Sequence, residues 1–459
     1  MKKLLLLVFA CVTFTTSTFA SHMMGGQITI SHNSGMDYHL KYTAYRDMTG
    51  IPIGTVAMIY FVDSTSGANF TMTIPYDSLI NVLVPGVEEY VYETDVTFPN
   101  TGNWAIHYEE CCRNAAILNM AQPSGESHYF YTNFLVDTVN SSPEFLNPPI
   151  VLAQDSVPFY YNPLPFDADG DSIAWSLDVP LSMNGAQVLG YSLPPSDSLF
   201  PFNMDPLTGE ITFLPNTLGN FQVSLRVKEY RNGVQIGEIT RDMQIIVVPS
   251  ANRPANVSVN SNTFPYNSKN YSVAPGAPFS LSVSVVDLDG QNLRLSGSGE
   301  PFLLANNPAV FTPVNAQGCA GGTLTWTPTA AQARTTPYVV GIRVSEDYFG
   351  QIFQSDLSIS LRVGNSAGLN NINANSAFTL SPNPSKGAFN LQFNTVSAEP
   401  VKVSVMTVTG KVVSSFVNSQ ITNGMNVIMV NDLGISKGIY MVQLEQNNQK
   451  IGVQRLVVE

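Results

Sequence analysis

Charge is scarce in this chain. Only 12% of its 459 residues are charged, and Lys plus Arg number 21 against 34 Asp plus Glu. A surface so short of cations does not suit nucleic acid or anionic lipid, both of which call for Lys/Arg clusters. Cysteine is nearly absent, with four in total, and tryptophan occurs three times. No stretch beyond the N-terminus approaches the ~20 consecutive apolar residues of a membrane helix. Helical periodicity is missing almost everywhere. Compact catalytic signatures are missing too: there is no HExxH, P-loop, dinucleotide fingerprint or CxxC. GNSAG (Gly364 to Gly368) matches G-x-S-x-G in letters only, because a nucleophile elbow needs a strand before it and a helix after it. Acidic pairs of the glycosidase kind do not stand out by spacing in a chain this acidic.

What is present begins with a leader. Met1-Lys2-Lys3 precedes the apolar run LLLLVFACV, and small and hydroxylated residues lead to Thr18-Phe19-Ala20. This is the pattern of a secretory signal peptide cut between Ala20 and Ser21. VFAC (Val8 to Cys11) loosely fits a lipoprotein box, but Phe9 is bulky for that site and the preceding apolar run is short, so a soluble exported protein is the expectation. Lys2 and Lys3 leave with the leader, so 19 basic residues then face 34 acidic ones, a net charge of −15.

The rest reads as strands and turns. Gly 33, Pro 30 and many β-branched residues accompany alternating apolar and polar positions throughout. Residues 21–142 hold strands such as YHLKYTAYRD (Tyr38 to Asp47) and NTGNWAIHYEE (Asn100 to Glu110). The latter, with Trp104, Ile106 and Tyr108 on one face, reads as a late strand of a β-sandwich. An internal repeat follows. FDADGDSIAWSL (Phe166 to Leu177) matches VDLDGQNLRLSG (Val286 to Gly297), TGEITFLPN matches GGTLTWTPT, and VSLRVKE (Val223 to Glu229) matches VGIRVSE (Val340 to Glu346). Two copies of one sandwich are expected over 143–250 and 251–364, joined by Pro-rich stretches that hold neighbours apart. Asn232-Gly233 between alternating runs predicts a type I′ hairpin. Residues 365–376 read as a linker, and 377–459 as a compact terminal β unit. The fold class is therefore all-β: tandem immunoglobulin-like or cadherin-like β-sandwiches with a small C-terminal β-sandwich.

That last unit carries LSPNPSKGAF (Leu380 to Phe389), VMTVTGKVV (Val405 to Val413), GIYMVQL (Gly438 to Leu444) and the terminal QRLVVE. Together they resemble the type A C-terminal sorting domain of the type IX secretion system of Gram-negative, often gliding, bacteria. Pro382, Asn383, Pro384, Gly387, Gly410, Lys411, Gly438 and Tyr440 carry the motif. Ser381 stands where tyrosine usually precedes the first proline. The resemblance implies recognition by the type IX machinery, passage across the outer membrane, removal of the domain, and a secreted or cell-surface product. SHMMGGQITI (Ser21 to Ile30), YRDMTG (Tyr45 to Gly50), ECCRNAAI (Glu110 to Ile117), KEYRNGVQIGEITRDMQIIV (Lys228 to Val247) and WTPTAAQARTTPY (Trp326 to Tyr338) resemble multi-domain immunoglobulin-like surface proteins of the same bacteria, whose biochemical role is not established.

Four groups of residues are candidates for chemistry. FDADGD sets Asp167, Asp169 and Asp171 in a tight loop able to converge on one hard cation. Calcium takes six to eight oxygens, so Asp205 or Glu229 would have to contribute. The second copy has Asp287 and Asp289 but Gln291, one charge fewer. Similar loops occur in cadherin-like modules, although the linker motif completing cadherin calcium sites is missing, and a plain Asp/Gly turn is the competing expectation. Cys111, Cys112 and Cys319 remain after the leader is lost. The resembled family has cysteine where this chain has Met48 and Ala330. That implies at most one disulfide, the strained 111–112 ring, and otherwise free buried thiols. The five histidines (His22, His32, His39, His107, His128) lack ligand spacing. Trp104, Trp175 and Trp326 all sit in alternating strands and read as core more readily than as sugar platforms.

The functional expectation is a non-catalytic, adhesive or structural surface protein with an unknown extracellular protein or glycan partner. The alternatives are a carbohydrate-binding module or a hydrolase with its site in residues 21–142.

Overall fold

The computed structural model describes residues 23–364 and 378–458, apart from 82–83, 85, 138, 260–261, 264–268, 382, 384, 396–397, 408–410, 423, 432 and 447–448. The leader with Ala20 and Ser21, His22, the linker, Pro382, Pro384 and Gly410 lie outside the described residues. The chain is all-β and divides into two compact units, Met1–Gly364 and Asn365–Glu459.

Seven strands open the first unit. In pairing order they are Met23–Ser34, Asp37–Asp47, Val87–Thr97, Asn69–Asn81, Val56–Asp63, Gly102–Cys111 and Ser127–Val136, each antiparallel to the next. An eighth strand, Val234–Val248, comes from the first repeat. It sets Gly237 opposite Phe134 on one side and Asp242 opposite Gly26 on the other, so the ladder closes on itself. The sandwich expected for this region is instead a closed ring that borrows a stave. Closure removes the sheet edges that would otherwise invite pairing with another chain. Inside it the alternation buries Tyr38, Tyr42, Phe61, Tyr92, Phe98, Trp104, Phe130 and Phe134. Phe98 and Trp104 meet edge-on with centroids 5.2 Å apart, the geometry aromatic quadrupoles favour.

The borrowed strand also revises the expected joint at 142/143. Val234–Val248 continues through Gly219–Arg231 to Ser172–Asp178, with Ile150–Gln154 parallel beside it, so one sheet runs through both modules. Proline does not hold these neighbours apart. Three of the stretches that carry the surface-protein resemblance meet at this weld. Asp242 takes Arg113 Nη1 at 2.7 Å, close enough for an ion pair though the N–H is not aimed along it, and the two side chains are 3% and 0% exposed. Arg113 Nε donates to Ser127 O and Nη2 to Leu181 O. A methyl group at Gly25 would run into the Asp242 carbonyl and one at Gly26 into the Thr43 carbonyl, which is why two glycines follow the methionines.

His128 completes the weld, with Nε2 3.1 Å from Met23 O and Nδ1 3.8 Å from Asp242. Burial, and then Arg113, hold its pKa down at about 4 despite Asp242. A histidine depressed from 6.5 is neutral when folded, so its contribution is complete above pH 6.5 and is lost as pH falls toward 4. The loss amounts to roughly 3 kcal/mol at the acid end. NMR titration of the ring is expected to show no protonation down to pH 5. A midpoint near the ordinary value would mean that water reaches the weld.

The two repeats share one register. In the first, Ile173 pairs with Glu229; in the second, Leu293 pairs with Glu346, and the matched strands Ser172–Asp178 and Asn292–Gly299 run equivalently. Each strand pair turns on a two-residue hairpin: Asn232-Gly233 at φ 53° and 80°, and Phe349-Gly350 at 52° and 87°. Positive φ at both central residues is the type I′ geometry that strand twist favours. The first core gathers Phe159, Tyr161, Phe213, Phe221 and Ile245, and the second Leu281, Val283, Trp326, Val340, Ile342 and Leu361.

The repeats are locked to each other by buried polar groups. Arg343 grips Asp356 through two bonds of 2.7 and 2.8 Å, and Asn162 N, from the first repeat, donates to the same carboxylate at 2.8 Å. Asn162 Nδ2 reaches Ser358 Oγ at 2.9 Å, and Ser358 N reaches Glu210 Oε1 at 3.2 Å. Direct pairing of buried polar groups specifies a single docking geometry, because any slip leaves them without partners.

In the second unit, the sheet Phe378–Ser381, Phe389–Thr395, Gly424–Val430 faces the sheet Val412–Asn418, Val401–Thr407, Gly438–Gln446, Gln449–Val458. Phe389, Leu391, Val403, Val442, Leu444 and Leu456 fill the space between.

Candidate cation site

The aspartate loop of the first repeat lies between the short strand Pro165–Phe166 and Ser172–Asp178. Asp167 Oδ1 accepts from Asp169 N (3.1 Å) and Asp171 N (2.9 Å), which folds the loop around that carboxylate, and Gly170 at φ 83° makes the turn. One ligand atom from each of Asp167, Asp169 and Asp171 lies within 4.8 Å of the others. Glu229 reaches the same place from Gly219–Arg231. It is fully buried, and a side chain at Gly237 would take its space. Among the described residues, neither Glu229 oxygen has a hydrogen-bond partner, and Asp167 Oδ2 has none either. Asp205, the other candidate fifth group, caps its own turn through Leu207 N and Thr208 N.

The cluster holds more negative charge than it neutralises. Arg231 binds Asp171, Asp137 and Asn140 Oδ1. Burial, then Asp169 and Asp171, raise the Asp167 carboxyl to about 7, against the pull of its backbone N–H donors. Burial, then Asp167 and Asp171, raise Glu229 to about 9. Such shifts mark carboxylates whose charge nothing nearby balances.

In the second repeat each equivalent carboxylate has a donor. Asp287 accepts from Asp289 N on one oxygen (2.7 Å) and Gln291 N on the other (2.9 Å). Glu346 takes Asn252 Nδ2 at 3.0 Å and Ala255 N at 2.9 Å. Gln291 Nε2 donates to Asn252 Oδ1, and Arg253 Nε binds Asp289 at 2.7 Å. Asp287 and Asp289 thus belong to a hydrogen-bonded turn.

The remaining candidates are scattered. Cys111 and Cys112 are joined as a disulfide, with a cis peptide between them, at the end of Gly102–Cys111. Cys319 is free but exposed, contrary to the expectation of buried thiols: it begins the strand Cys319–Trp326 with its side chain on the outer face, whereas Ala320 points in. His39 lies beside Asp95 and Glu93, His107 stacks between Tyr60 and Tyr129, and His32 meets Gly35 O. Trp104 and Trp326 are buried, and Trp175 gives its Nε1 to Asp205 O. The weld residues Arg113 and Asp242 were missed by sequence reasoning. ECCRNAAI drew attention to its cysteines, and only the fold shows that its arginine is the buried group.

In the terminal unit Asn383 is clamped to the last strand. Asn383 Nδ2 donates to Arg455 O (2.7 Å), and Asn383 Oδ1 accepts from Val457 N (2.9 Å). Ser385 N adds a bond to Val457 O, so Asn383 and Ser385 are both tied to the last strand. Gly387 turns at φ 101°, Lys411 N bonds Thr407 Oγ1, and Tyr440, two residues after Gly438, gives its hydroxyl to Ser436 O. Residues 379–459 match the secretion system C-terminal sorting domain family. The tail is a sorting domain. It marks the chain as a secreted or cell-surface protein exported by type IX secretion, and it engages that machinery.

Among the described residues, no helix is long and apolar enough to cross a membrane. No curated protein matches the chain. Solved structures similar to it include Dpr2 Ig1-Ig2 in complex with DIP-Theta Ig1-Ig3, at 10% identity over 74% of this chain and 100% of that one, TM-score 0.17. A three-domain titin fragment matches at 10% identity over 69% of this chain and 98% of that one, TM-score 0.17. Likenesses of this size carry no argument about function. The sorting domain is what places the chain.

Proposed function

We propose that the exported part is a non-catalytic adhesive or structural protein, whose welded modules present contact loops to an extracellular protein or glycan. The reading is supported by the closed ring, its borrowed stave and the buried lock between repeats, which together suit a stiff spacer. One observation carries the adhesive part. At the hairpin tip where the first repeat has Asn232, the second has Phe349, in the same left-handed conformation and 93% exposed. A bulky residue is strained there and gains nothing from burial, whereas Asn tolerates the position. Exposed aromatics of this kind serve as binding anchors.

Cells displaying Phe349→Asn are expected to melt no lower in that domain, yet to attach several-fold less to the matrix that wild-type cells colonise. Cells lacking residues 377–459 should retain the protein behind the outer membrane. Undiminished attachment by the Phe349→Asn strain would remove the adhesive reading, and surface display without the tail would remove the routing.

A further inference from the structure

We infer that Asp167, Asp169, Asp171 and Glu229 form a divalent-cation site, of calcium type, in the first repeat, and that hydrogen bonds have replaced the equivalent site in the second.

The comparison between repeats carries the inference. Both copies place three loop groups and one strand glutamate at matched positions of one register. In the second copy an amide stands at Gln291, and Asn252 bridges it to Glu346, so the glutamate has two donors. In the first copy the corresponding residue is Asp171, which brings an acceptor where Gln291 brings a donor. Asn140 is the counterpart of Asn252, because Ser141 N binds Asp169 as Arg253 N binds Asp289. Asn140 turns its carbonyl to Arg231, and its Nδ2 has no partner among the described residues. Glu229 is therefore a fully buried carboxyl group to which no donor among the described residues points, set beside Asp167 and Asp171. Ionising a buried carboxyl group that has no donor or counter-charge costs several kcal/mol. A single hard cation supplies what the second copy obtains from amides.

The ligand set fits calcium in particular. All donors are carboxylate oxygens. Their mutual spacing, within 4.8 Å for the three aspartates, spans a cation with Ca–O distances of ~2.3–2.6 Å. The four carboxylates supply part of a shell of six to eight oxygens, and water completes it. Asp167 and Asp171 also line an open cleft of about 150 Å³, which gives solvent access. The site lies at the joint to the ring: Ser141 N binds Asp169, while Ser141 Oγ and Ser142 Oγ accept from His32 N and Ile30 N. An occupied site fixes this connection from both sides.

The test uses the chain from Ser21 to Glu459, stripped with chelator and melted with and without 1–2 mM calcium chloride, beside calorimetric titration with the metal alone. The expected result is one bound calcium and a rise of about 5 °C in the first-repeat transition, the size that binding well above Kd gives. Glu229→Gln should lose the calcium response, and its chelated form should melt no lower than chelated wild type. Asp169→Asn serves as a second variant if that one does not fold, and Asp289→Asn should leave the response intact. An unchanged midpoint, a response surviving in both first-repeat variants, or an equal response to magnesium would each overturn the assignment.

Discussion

Arg113→Met is expected to lower stability by about 3–5 kcal/mol at pH 8, the cost of leaving a buried carboxylate without its partner. Asp242 is 3% exposed and its Oδ2 faces Arg113 and His128. Burial pushes that carboxyl up, but Arg113 and His128 more than offset it and hold it below the usual range. Without Arg113 the charge remains and the offset shrinks. The effect should depend on pH with a definite sign. Arg113 is one of the groups holding His128 near 4, and Tyr191 also lies in this field. In the variant, His128 faces Asp242 without a competing cation, so its folded pKa rises. Protonated His128 then serves as counter-charge, and the penalty shrinks as pH falls below about 6.5. Urea unfolding of wild type and variant at pH 8 and pH 6 measures both. An equal loss at the two pH values would mean that Arg113 acts through packing alone. Because Asp242 lies on the borrowed stave, the variant should also open the ring where Gly26 meets Asp242, read as faster amide exchange along Met23–Ser34.

The second large effect lies at the lock between repeats. Asp356→Ala leaves Arg343, 8% exposed, without the carboxylate that takes two of its N–H groups, and removes the acceptor of Asn162 N. The expected cost is again about 3–5 kcal/mol. The double variant Arg343→Met/Asp356→Leu should recover more than half of it, since apolar groups of similar volume fill the space without a charge to bury. Measured by thermal unfolding and by proteolysis of the segment 249–255, the single variant should be cut faster and the double variant little faster than wild type. If the double variant is as poor as the single one, the lock depends on Asn162 and Ser358 more than on the ion pair.

Much of this architecture was legible from residue order. Leu281, Val283 and Val285 alternate with exposed neighbours, and that period of two is the physical requirement of a half-buried strand. Matching VSLRVKE to VGIRVSE aligns Glu229 with Glu346 from residue order alone, because a repeat conserves register and register fixes which face a side chain occupies. Asn232-Gly233 announced its turn because few residues tolerate two positive φ angles. Phe349-Gly350 adopts the same turn without that signal. The tail was recognisable because several short motifs occur together and in order; Asn383 and the last strand, more than seventy residues apart, are bonded to each other.

The candidate cation site was half visible. Spacing brought Asp167, Asp169 and Asp171 together, since neighbours in a tight loop need no fold to meet. Choosing Glu229 over Asp205 required the strand pairing, and the missing donors around Glu229 are a fact about space. Sequence alone determined local matters here: strand period, turns, repeat register, and the destination written in residues 379–459. Tertiary structure alone decided that the N-terminal strands close a ring with a stave from the next module, that Arg113 meets Asp242 inside the weld, and that Cys319 faces out. The reason is distance along the chain. Alternation fixes which way a side chain points, but partners more than a hundred residues apart are chosen by competition among strand edges and by desolvation of buried charge, and neither is written in any short stretch.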